Sequence, residues 1–391
     1  MDITPSIEET SHSQTLTSLI QKEIESNKGQ ISFAKYMEMA LYTPGFGYYA
    51  AGKTKFGSQG DFITAPEISP FFGATIVQSL KPILNYFQEQ KIPLDILEFG
   101  AGTGALAESI LNELARNSIQ INSYKILDLS ADLIHRQQDR LNPQFKNVEW
   151  LTTLPKQFNG IFLANEVLDA MPIELITFVK QQWHYQDVKK RCGSNLTDIP
   201  FEFSLGKPLP QQHLSPLLQE SSFEDGYTTE LHPIANAWIK QLATVLNQGV
   251  LLAIDYGFPE REYYHPQRHQ GTVMGHYAHH AVQNPFFYPG LCDLTAHVEW
   301  SSIAQTASSE GMNLLGYTSQ ASYLLDAGIT QLLLDQINPT DSQQFIPVSN
   351  AIQKLLSEAE MGELFKVMCL GKNMPFQEGE LPGFRSRPRA L

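Results

Sequence analysis

The chain has 391 residues, of which 42% are hydrophobic and 17% charged, a composition typical of globular proteins and not of disordered ones. Its formal net charge of −14 disfavours nonspecific binding to nucleic acid and is compatible with a basic protein partner. Three scattered cysteines, an N-terminus without a signal-peptide core and no apolar run of membrane-spanning length predict a cytoplasmic protein that is not inserted into a membrane.

The N-terminal part is predicted to hold helices followed by a glycine-rich loop. Residues 1–15 are polar and expected to fray, whereas 16–26 and 32–41 have helical patterns, the second with Ser32 as its N-cap. The glycine-rich stretch that follows, Gly57–Ser69, is interpreted as a lid over a ligand, and the alternative is an ordered surface loop. Its candidate polar contacts are Asp61, Thr64, Glu67 and Ser69.

A strand, a glycine-rich turn and a helix are predicted around Ile96–Leu106. The apolar run Leu94–Leu97 indicates a buried strand, and a helical pattern continues from Thr103 to about Asn117. Glycine permits a sharp turn and lets the backbone approach a ligand, while the start of a helix offers unpaired N–H groups. The alternative is an ordinary strand-to-helix connection. The glycines of the turn are Gly100, Gly102 and Gly104.

Two acidic residues lie next to this turn in the predicted fold. Glu98 ends the first strand, where it could order the loop or face the ammonium group of a ligand. Asp128 lies near the end of the next predicted strand, 124–129, and an acid there can accept both hydroxyls of a ribose. The spelling E-x-G-x-G-x-G resembles motif I of class I S-adenosylmethionine (SAM) methyltransferases. It fits the dinucleotide fingerprint less well, so a nicotinamide-dependent oxidoreductase is the alternative.

Two further acids follow the predicted fourth strand, 160–164, in the string Asn165-Glu-Val-Leu-Asp-Ala-Met-Pro172. The loops at the carboxyl ends of parallel strands face the ligand crevice, so Glu166 and Asp169 are candidate site residues. Their alternative role is to cap a helix, because acids favour the first turn.

Two irregular insertions and a fifth strand complete the central part of the chain. Residues 190–226, after two antiparallel strands, are predicted to be irregular, and Glu230 then begins a helix either as a dipole-matching acid or as a site residue. The fifth strand ends at Asp255, and a loop rich in histidine covers 258–292. No cysteine or well-spaced carboxylate completes a ligand set among these histidines, so no metal site is predicted.

Three ordered strings of the sequence are specific: Gly60-Asp-Phe-Ile-Thr-Ala-Pro-Glu-Ile-Ser69, Pro44-x-x-Gly-Tyr-Tyr49 before it, and the N-E-x-x-D-A-x-P string that begins at Asn165. In these strings the chain resembles the MidA-like methyltransferases, which include mitochondrial enzymes that support complex I assembly. The resemblance extends from about Ile31 to Lys372. Asp128 stands where many relatives have Glu, and either acid can bind the ribose diol.

The resemblance implies an α/β class I methyltransferase (Rossmann-like) fold: a seven-stranded sheet whose last strand is antiparallel, an N-terminal helical and lid segment, and insertions after strands 4 and 5. The expected parts are N-terminal helices and lid over 1–90, a core over 91–372, insertions at about 173–230 and 258–297, a helical segment at about 318–360, and a loose tail over 373–391.

The resemblance also implies a SAM-dependent transfer of a methyl group to a protein arginine, for example in a subunit of a respiratory dehydrogenase. The catalytic acids would be Glu166 and Asp169, which would orient the guanidinium and accept its proton. The residues that would bind SAM are Glu98, Gly100, Gly102, Gly104, Asp128, Asp61, Thr64, Glu67 and Asn165. A protein that keeps the SAM fold for binding or assembly, without turnover, is the second alternative.

Overall fold

The computed structural model describes residues 4–51, 64–193, 199–220, 222–387 and 389–391. The helices of these residues are α1 (Ile7–Ser26), α2 (Phe33–Tyr42), α3 (Ala65–Ile68), α4 (Phe71–Glu89), α5 (Ala105–Arg116), α6 (Ala131–Leu141), α7 (Pro216–Glu220), α8 (Pro233–Val245), α9 (Glu260–Tyr263), α10 (Trp300–Ser309), α11 (Gln320–Asp326), α12 (Ile329–Gln336) and α13 (Ser342–Leu356). None of these helices has the length and the apolar composition needed to cross a membrane.

The strands of the same residues are β1 (Ile31–Ser32), β2 (Asp95–Phe99), β3 (Ser123–Leu127), β4 (Val148–Leu151), β5 (Phe158–Asn165), β6 (Glu174–Val179), β7 (Gln182–Lys190), β8 (Phe201–Pro208), β9 (Thr228–Leu231), β10 (Leu246–Phe258), β11 (Met274–Tyr277), β12 (His280–Val282), β13 (Asp293–Thr295), β14 (Val298–Glu299), β15 (Asn313–Ser319) and β16 (Phe365–Lys372).

The chain divides into two compact units. The first unit takes the described residues of Met1–Lys53, Leu168–Ala237 and Phe258–Ser302. The second unit takes those of Thr54–Val167, Trp238–Gly257 and Ile303–Leu391. The domain boundaries expected from the sequence stay a prediction.

The second unit is built on a mostly parallel sheet. Among the described residues, a path of seven hydrogen-bonded strands runs in the order β15-β16-β10-β5-β2-β3-β4. The five strands from β10 to β4 pair in parallel, whereas β16 is antiparallel to both β10 and β15. The prediction of a parallel α/β sheet whose last strand is antiparallel is therefore confirmed.

Helices cover this sheet, which explains why its central strands are apolar throughout. Ile161, Phe162 and Leu163 on β5 are at most 2% exposed, as expected of a parallel strand that is buried on both faces. Helix α4 packs closely on α5, because Gly73 leaves room for the side chain of Ser109. The carboxyl ends of β2, β3, β5 and β10 consequently lie at one edge of the sheet.

The first unit contains antiparallel sheets and an aromatic core. Strand β7 pairs with β1, β6 and β8, and β6 also pairs with β9. A smaller sheet has the order β12-β11-β13. Tyr36 packs edge-on against Phe201 and Phe286 at centroid distances of 5.7 and 5.1 Å. The predicted cap of α2 is confirmed, because the Ser32 hydroxyl accepts a hydrogen bond from the backbone N–H of Lys35 at 3.2 Å.

Three expectations about irregular segments were wrong. Helix α1 begins at Ile7, within the residues expected to fray, because Ser6 and Glu9 form a capping box. The insertion over 190–226 contains β8, which gains cross-strand hydrogen bonds from β7. The loop over 258–292 contains α9, β11 and β12.

The C-terminal segment, which was expected to be loose, is partly packed. Leu381 and Phe384 are 1% and 2% exposed and belong to the core of the second unit. The Phe384 ring lies against Tyr323 at a centroid distance of 5.2 Å. Apolar burial therefore fixes this part of the tail although no regular element contains it.

Candidate functional site

The glycine-rich turn follows β2 and leads into α5, as the sequence predicts. Gly100, Gly102 and Gly104 have φ values of 61°, 54° and 84°, a left-handed conformation that glycine adopts without strain. The N–H of Gly100 donates to the carbonyl of Leu127 at 3.0 Å, which joins the turn to the end of β3. The turn therefore lies at the carboxyl edge of the sheet, where its backbone can approach a ligand.

Glu98 is almost completely enclosed at the end of β2. Its side chain is 2% exposed, and the hydroxyl of Tyr124 donates a 2.7 Å hydrogen bond to its Oε2. Burial raises the pKa of Glu98 to about 7, helped by the charge of Asp128 and opposed by the Tyr124 hydrogen bond. A carboxyl group in this position, at the end of β2 and just before the glycine turn, can order the turn.

Asp128 follows β3 directly and is held by two donors. Its Oδ1 accepts the N–H of Ser130 at 2.9 Å, and its Oδ2 accepts the side-chain amide of Gln137 at 2.8 Å. Burial raises the pKa of Asp128, and both hydrogen bonds oppose that rise. The carboxylate has further lone pairs that a ribose diol could use.

Glu67, an expected contact of the lid, is tied to the glycine turn. Its Oε1 accepts a hydrogen bond from the Thr103 hydroxyl, and Nη1 of Arg140 lies 3.6 Å from the same oxygen. Arg140 also donates to Thr103 Oγ1 at 2.7 Å and to Glu108 Oε2 at 2.8 Å. Helix α6 therefore carries a cation that holds the turn, α3 and α5 together.

Of the other candidate lid residues, Thr64 lies within the described part of the chain and Asp61 does not. Thr64 is the N-cap residue of α3, and its side chain makes no capping hydrogen bond. Asp61 lies outside the described residues, as do the glycines Gly57 and Gly60 of the same stretch. The binding roles of Thr64, Glu67 and Asp61 stay predictions.

Asn165 and Glu166 lie at the carboxyl end of β5, as predicted. Glu166 has a φ of 54°, and its N–H donates to the carbonyl of Ile254 on β10 at 2.9 Å. The amide of Asn165 donates to Glu166 Oε1 at 3.1 Å, whereas Asn165 Oδ1 is buried and has no hydrogen-bond partner among the described residues. Asp255 supports the segment that follows β5, because its Oδ2 accepts the N–H of Val167 at 3.1 Å.

Asp169 belongs to the first unit, where it is 6% exposed. Its backbone carbonyl accepts the N–H of Ala296 at 3.0 Å. Burial raises the pKa of Tyr42 and of Tyr49, and the charges of Asp293 and Asp169 raise both further. Asp169 is therefore a buried acid beside two tyrosines, which is compatible with the predicted contact to a cation.

Glu230 is completely buried in the first unit and fully engaged there. Its carboxylate accepts the hydroxyl of Tyr263 at 3.0 Å and the N–H of Val273 at 3.1 Å. Burial raises its pKa, and these donors oppose the rise. The contacts make Glu230 the anchor that fixes the segment around Val273 to β9.

The second unit thus brings several sequence-predicted residues to the carboxyl edge of one sheet: Glu98, Gly100, Gly102, Gly104, Asp128, Glu67, Asn165 and Glu166. The sequence interpretation missed Gln137 and Arg140, which reach the turn from α6. Their three-residue spacing on one helix face was visible, but only the packing of α6 shows what that face contacts. No cluster of possible metal ligands occurs in the part of the chain that the structure describes.

The family model described as "Putative S-adenosyl-L-methionine-dependent methyltransferase" matches residues 76–318. The chain is 28% identical over 370 residues to the Danio rerio protein named "Protein arginine methyltransferase NDUFAF7, mitochondrial", covering 86% of this chain and 82% of that protein. The human protein of the same name is 25% identical over 387 residues, covering 90% and 82%.

A crystal structure from Burkholderia thailandensis, solved with S-adenosyl-homocysteine bound, superposes with a TM-score of 0.91 at 41% identity, covering 99% of this chain and 98% of that chain. A native structure from the same organism gives a TM-score of 0.88 at 40% identity, with the same coverage. The family match and this similarity over nearly the full length lead to one conclusion: the chain belongs to the family of S-adenosyl-L-methionine-dependent methyltransferases.

Proposed function

We propose that the chain transfers a methyl group from SAM to an arginine side chain of a protein. The observation that carries the proposal is Glu166, an acid held in left-handed backbone conformation at the carboxyl end of β5. That conformation costs free energy for a residue with a Cβ atom, and the hydrogen bond from the Glu166 N–H to the carbonyl of Ile254 on β10 holds it at the edge where parallel sheets bind their ligands. The names of the curated relatives support arginine as the acceptor.

The edge of the sheet in the second unit fits SAM. The three glycines of the turn carry no side chain that would keep a ligand from the backbone, and Asp128 offers a carboxylate for the ribose hydroxyls. The buried Oδ1 of Asn165, which lacks a protein donor among the described residues, can accept one from the ligand. Glu98 lies on β2 just before the turn and can order it.

In the proposed reaction, SAM supplies a methyl carbon whose bond to sulfur breaks while the bond to nitrogen forms, the electron pair leaving with sulfur. Glu166 accepts hydrogen bonds from the cationic guanidinium, which fixes the plane of the group. The nitrogen that gains the methyl group loses one proton, and the carboxylate of Glu166 accepts it. Most of the rate increase then comes from positioning, because the sulfonium is already a good leaving group.

Glu166→Gln tests the proposal, because glutamine keeps the shape and removes the charge. Methyl transfer should fall on the order of 100-fold, as expected when a positioned proton acceptor is lost. Binding of S-adenosylhomocysteine (SAH), measured by calorimetry, should stay within about three-fold of wild type, because the variant keeps every group that faces the cofactor. The transfer is measured with methyl-labelled SAM and proteins from cells that lack this chain, and mass spectrometry identifies methylarginine.

Glu358→Gln is the matched control, since Glu358 is exposed beyond α13. Methyl transfer and SAH binding are measured in parallel for Asp169→Asn, which likewise replaces an acid by its amide, at the other acid predicted to be catalytic. A normal transfer rate for Glu166→Gln would contradict its role, and a label on a residue other than arginine would contradict the acceptor. SAH binding without any transfer would favour an assembly protein that keeps the fold without turnover.

We further propose that the acceptor protein is a subunit of a respiratory dehydrogenase and that the chain acts in the cytoplasm. The resemblance to enzymes that support complex I assembly supports the first point. The three cysteines, all free thiols, support a reducing compartment. The curated relatives carry the word mitochondrial in their names, so fractionation of cells that express the tagged chain tests the location directly.

A further inference from the structure

We infer that Gln137 is a positioning residue of the cofactor site, whose amide holds the glycine turn and Asp128 in one fixed arrangement. The inference rests on SAM binding at this edge of the sheet and does not depend on the identity of the methyl acceptor.

Every hydrogen-bonding group of the Gln137 side chain is used. Its Nε2 donates to Asp128 Oδ2 at 2.8 Å and to the carbonyl of Gly102 at 3.0 Å. Its Oε1 accepts the indole N–H of Trp150 at 3.0 Å. The residue is 0% exposed, so each of these groups would be left unpaired in a buried place if the amide were removed.

These contacts act on both parts of the predicted cofactor site. Because Asp128 is held by Ser130 on one oxygen and by Gln137 on the other, the plane of its carboxylate is set. Because Gly102 is held through its carbonyl, the orientation of the turn is set by the same side chain. The acid and the turn therefore cannot shift independently, which is the condition for recognising a ribose and the rest of the ligand together.

The contact to Asp128 also has a consequence for pH. Burial raises the pKa of Asp128 and the Gln137 donor opposes the rise, so removal of the donor raises the pKa further. Glu98 on β2 is the acid that interacts electrostatically with Asp128. Ribose hydroxyls donate best to an ionised carboxylate, so SAH affinity should fall as the pH falls through the pKa of Asp128. Without Gln137 this fall should begin at a higher pH.

Gln137→Met tests the inference, because methionine keeps the length and removes all three hydrogen bonds. We expect calorimetry to show SAH binding about 10-fold weaker or more, with the loss of affinity beginning at a higher pH than in wild type. The matched control is Gln138→Met, the same change at the next, partly exposed position of α6, which should bind SAH within about two-fold of wild type.

Gln137→Asn is the second variant, in case methionine prevents folding. Asparagine keeps an amide but is one methylene shorter, so it cannot reach both Asp128 and Gly102, and it should also weaken SAH binding. Wild-type affinity and an unchanged pH profile in a folded Gln137 variant would overturn the inference alone. Failure of the wild-type chain to bind SAH would overturn the cofactor site itself. Normal SAH binding in a Gln137 variant that has lost methyl transfer would also overturn the inference, because Gln137 would then affect the transfer step and not the binding of the cofactor.

Discussion

At the scale of single residues, Glu98 combines a buried carboxyl group with one neutral donor. Its pKa of about 7 in the folded chain lies above the ordinary value of 4.5. The folded state therefore binds the proton more tightly than the unfolded state. The resulting stabilisation is fully present below the ordinary pKa and is lost as the pH rises through about 7.

We expect Glu98→Gln to remove this dependence, because glutamine stays neutral and can still accept from Tyr124. Between about pH 4.5 and pH 8, the free energy of unfolding of wild type should fall relative to the variant by about 3 kcal/mol. Urea unfolding of both proteins without cofactor, at several pH values, measures the difference. Glu299, whose pKa is also raised to about 7 by burial, is present in both and cancels.

Glu149→Gln is the control for this comparison, since Glu149 is 56% exposed. Its unfolding curve should follow wild type at each pH. A constant difference between Glu98→Gln and wild type across the range would show that Glu98 is already ionised in the folded chain.

The sequence identified the residues of the site that belong to a local motif. The glycines and Glu98 come from one continuous string, and Asp128 follows the next apolar run. Gln137 was invisible because its amide acts across 35 positions of the chain, on Gly102. The strained backbone of Glu166 was invisible as well, since no residue type signals a left-handed glutamate.

At the scale of elements, the contact between α4 and α5 depends on Gly73. A Cβ at this position would overlap the Ser109 hydroxyl. Alanine is favoured over glycine by about 1 kcal/mol in a helix, but overpacking a core costs about 1–3 kcal/mol. The overlap with Ser109 is severe, so the cost should lie near the upper end of that range. We therefore expect Gly73→Ala to lower the free energy of unfolding by about 2 kcal/mol, measured by urea unfolding.

A second substitution checks the cause of that effect. Ser109→Ala removes the overlapping oxygen, so the double variant Gly73→Ala/Ser109→Ala should recover most of the lost stability. If the double variant is no more stable than Gly73→Ala, the overlap with Ser109 is not the reason for glycine at this position.

Helix α1 and strand β8 show why some elements escaped prediction although their signals were present. Ser6 and Glu9 form the capping box at the start of α1, with hydrogen bonds of 3.0 and 3.2 Å, but polar neighbours suggested fraying. Phe201, Phe203 and Leu205 alternate with smaller or polar residues along β8. Prolines around this pattern suggested an irregular segment, and pairing with β7 overrides that preference.

At the scale of the whole molecule, the net charge of −14 should govern association with a basic protein acceptor. Salt screens the attraction between exposed charges, with a Debye length of about 10 Å at 0.1 M. We expect the KM for the methylated protein to rise several-fold between about 0.05 and 0.3 M salt. Steady-state transfer to the acceptor identified by labelling measures it.

SAH binding is the internal control of this experiment, because the cofactor is a small molecule held by contacts within the chain. Its affinity should change by about two-fold or less over the same range. A KM for the acceptor that does not change with salt would show that surface charge plays no part in its recognition.

The sequence predicts the parallel sheet better than it predicts which stretches of the chain form the two compact units. Apolar runs separated by helical patterns indicate consecutive parallel strands, and the structure places them in one sheet. The first unit is assembled from three separate stretches, around residues 1–53, 168–237 and 258–302. Their association depends on contacts between distant segments, such as Tyr36 with Phe286, that no local pattern encodes.

The left-handed backbone of Glu166 has a consequence for engineering. A glycine would adopt the same φ of 54° at a lower conformational cost, so a search that ranks variants by thermal resistance alone would replace this acid. Screens for hardier versions of the chain should therefore hold position 166 constant or score turnover alongside heat tolerance. The surrounding core offsets the cost of keeping the acid: β5 leads into position 166 and β10 pairs with β5, and Ile161 and Val250 on these strands are 0% exposed.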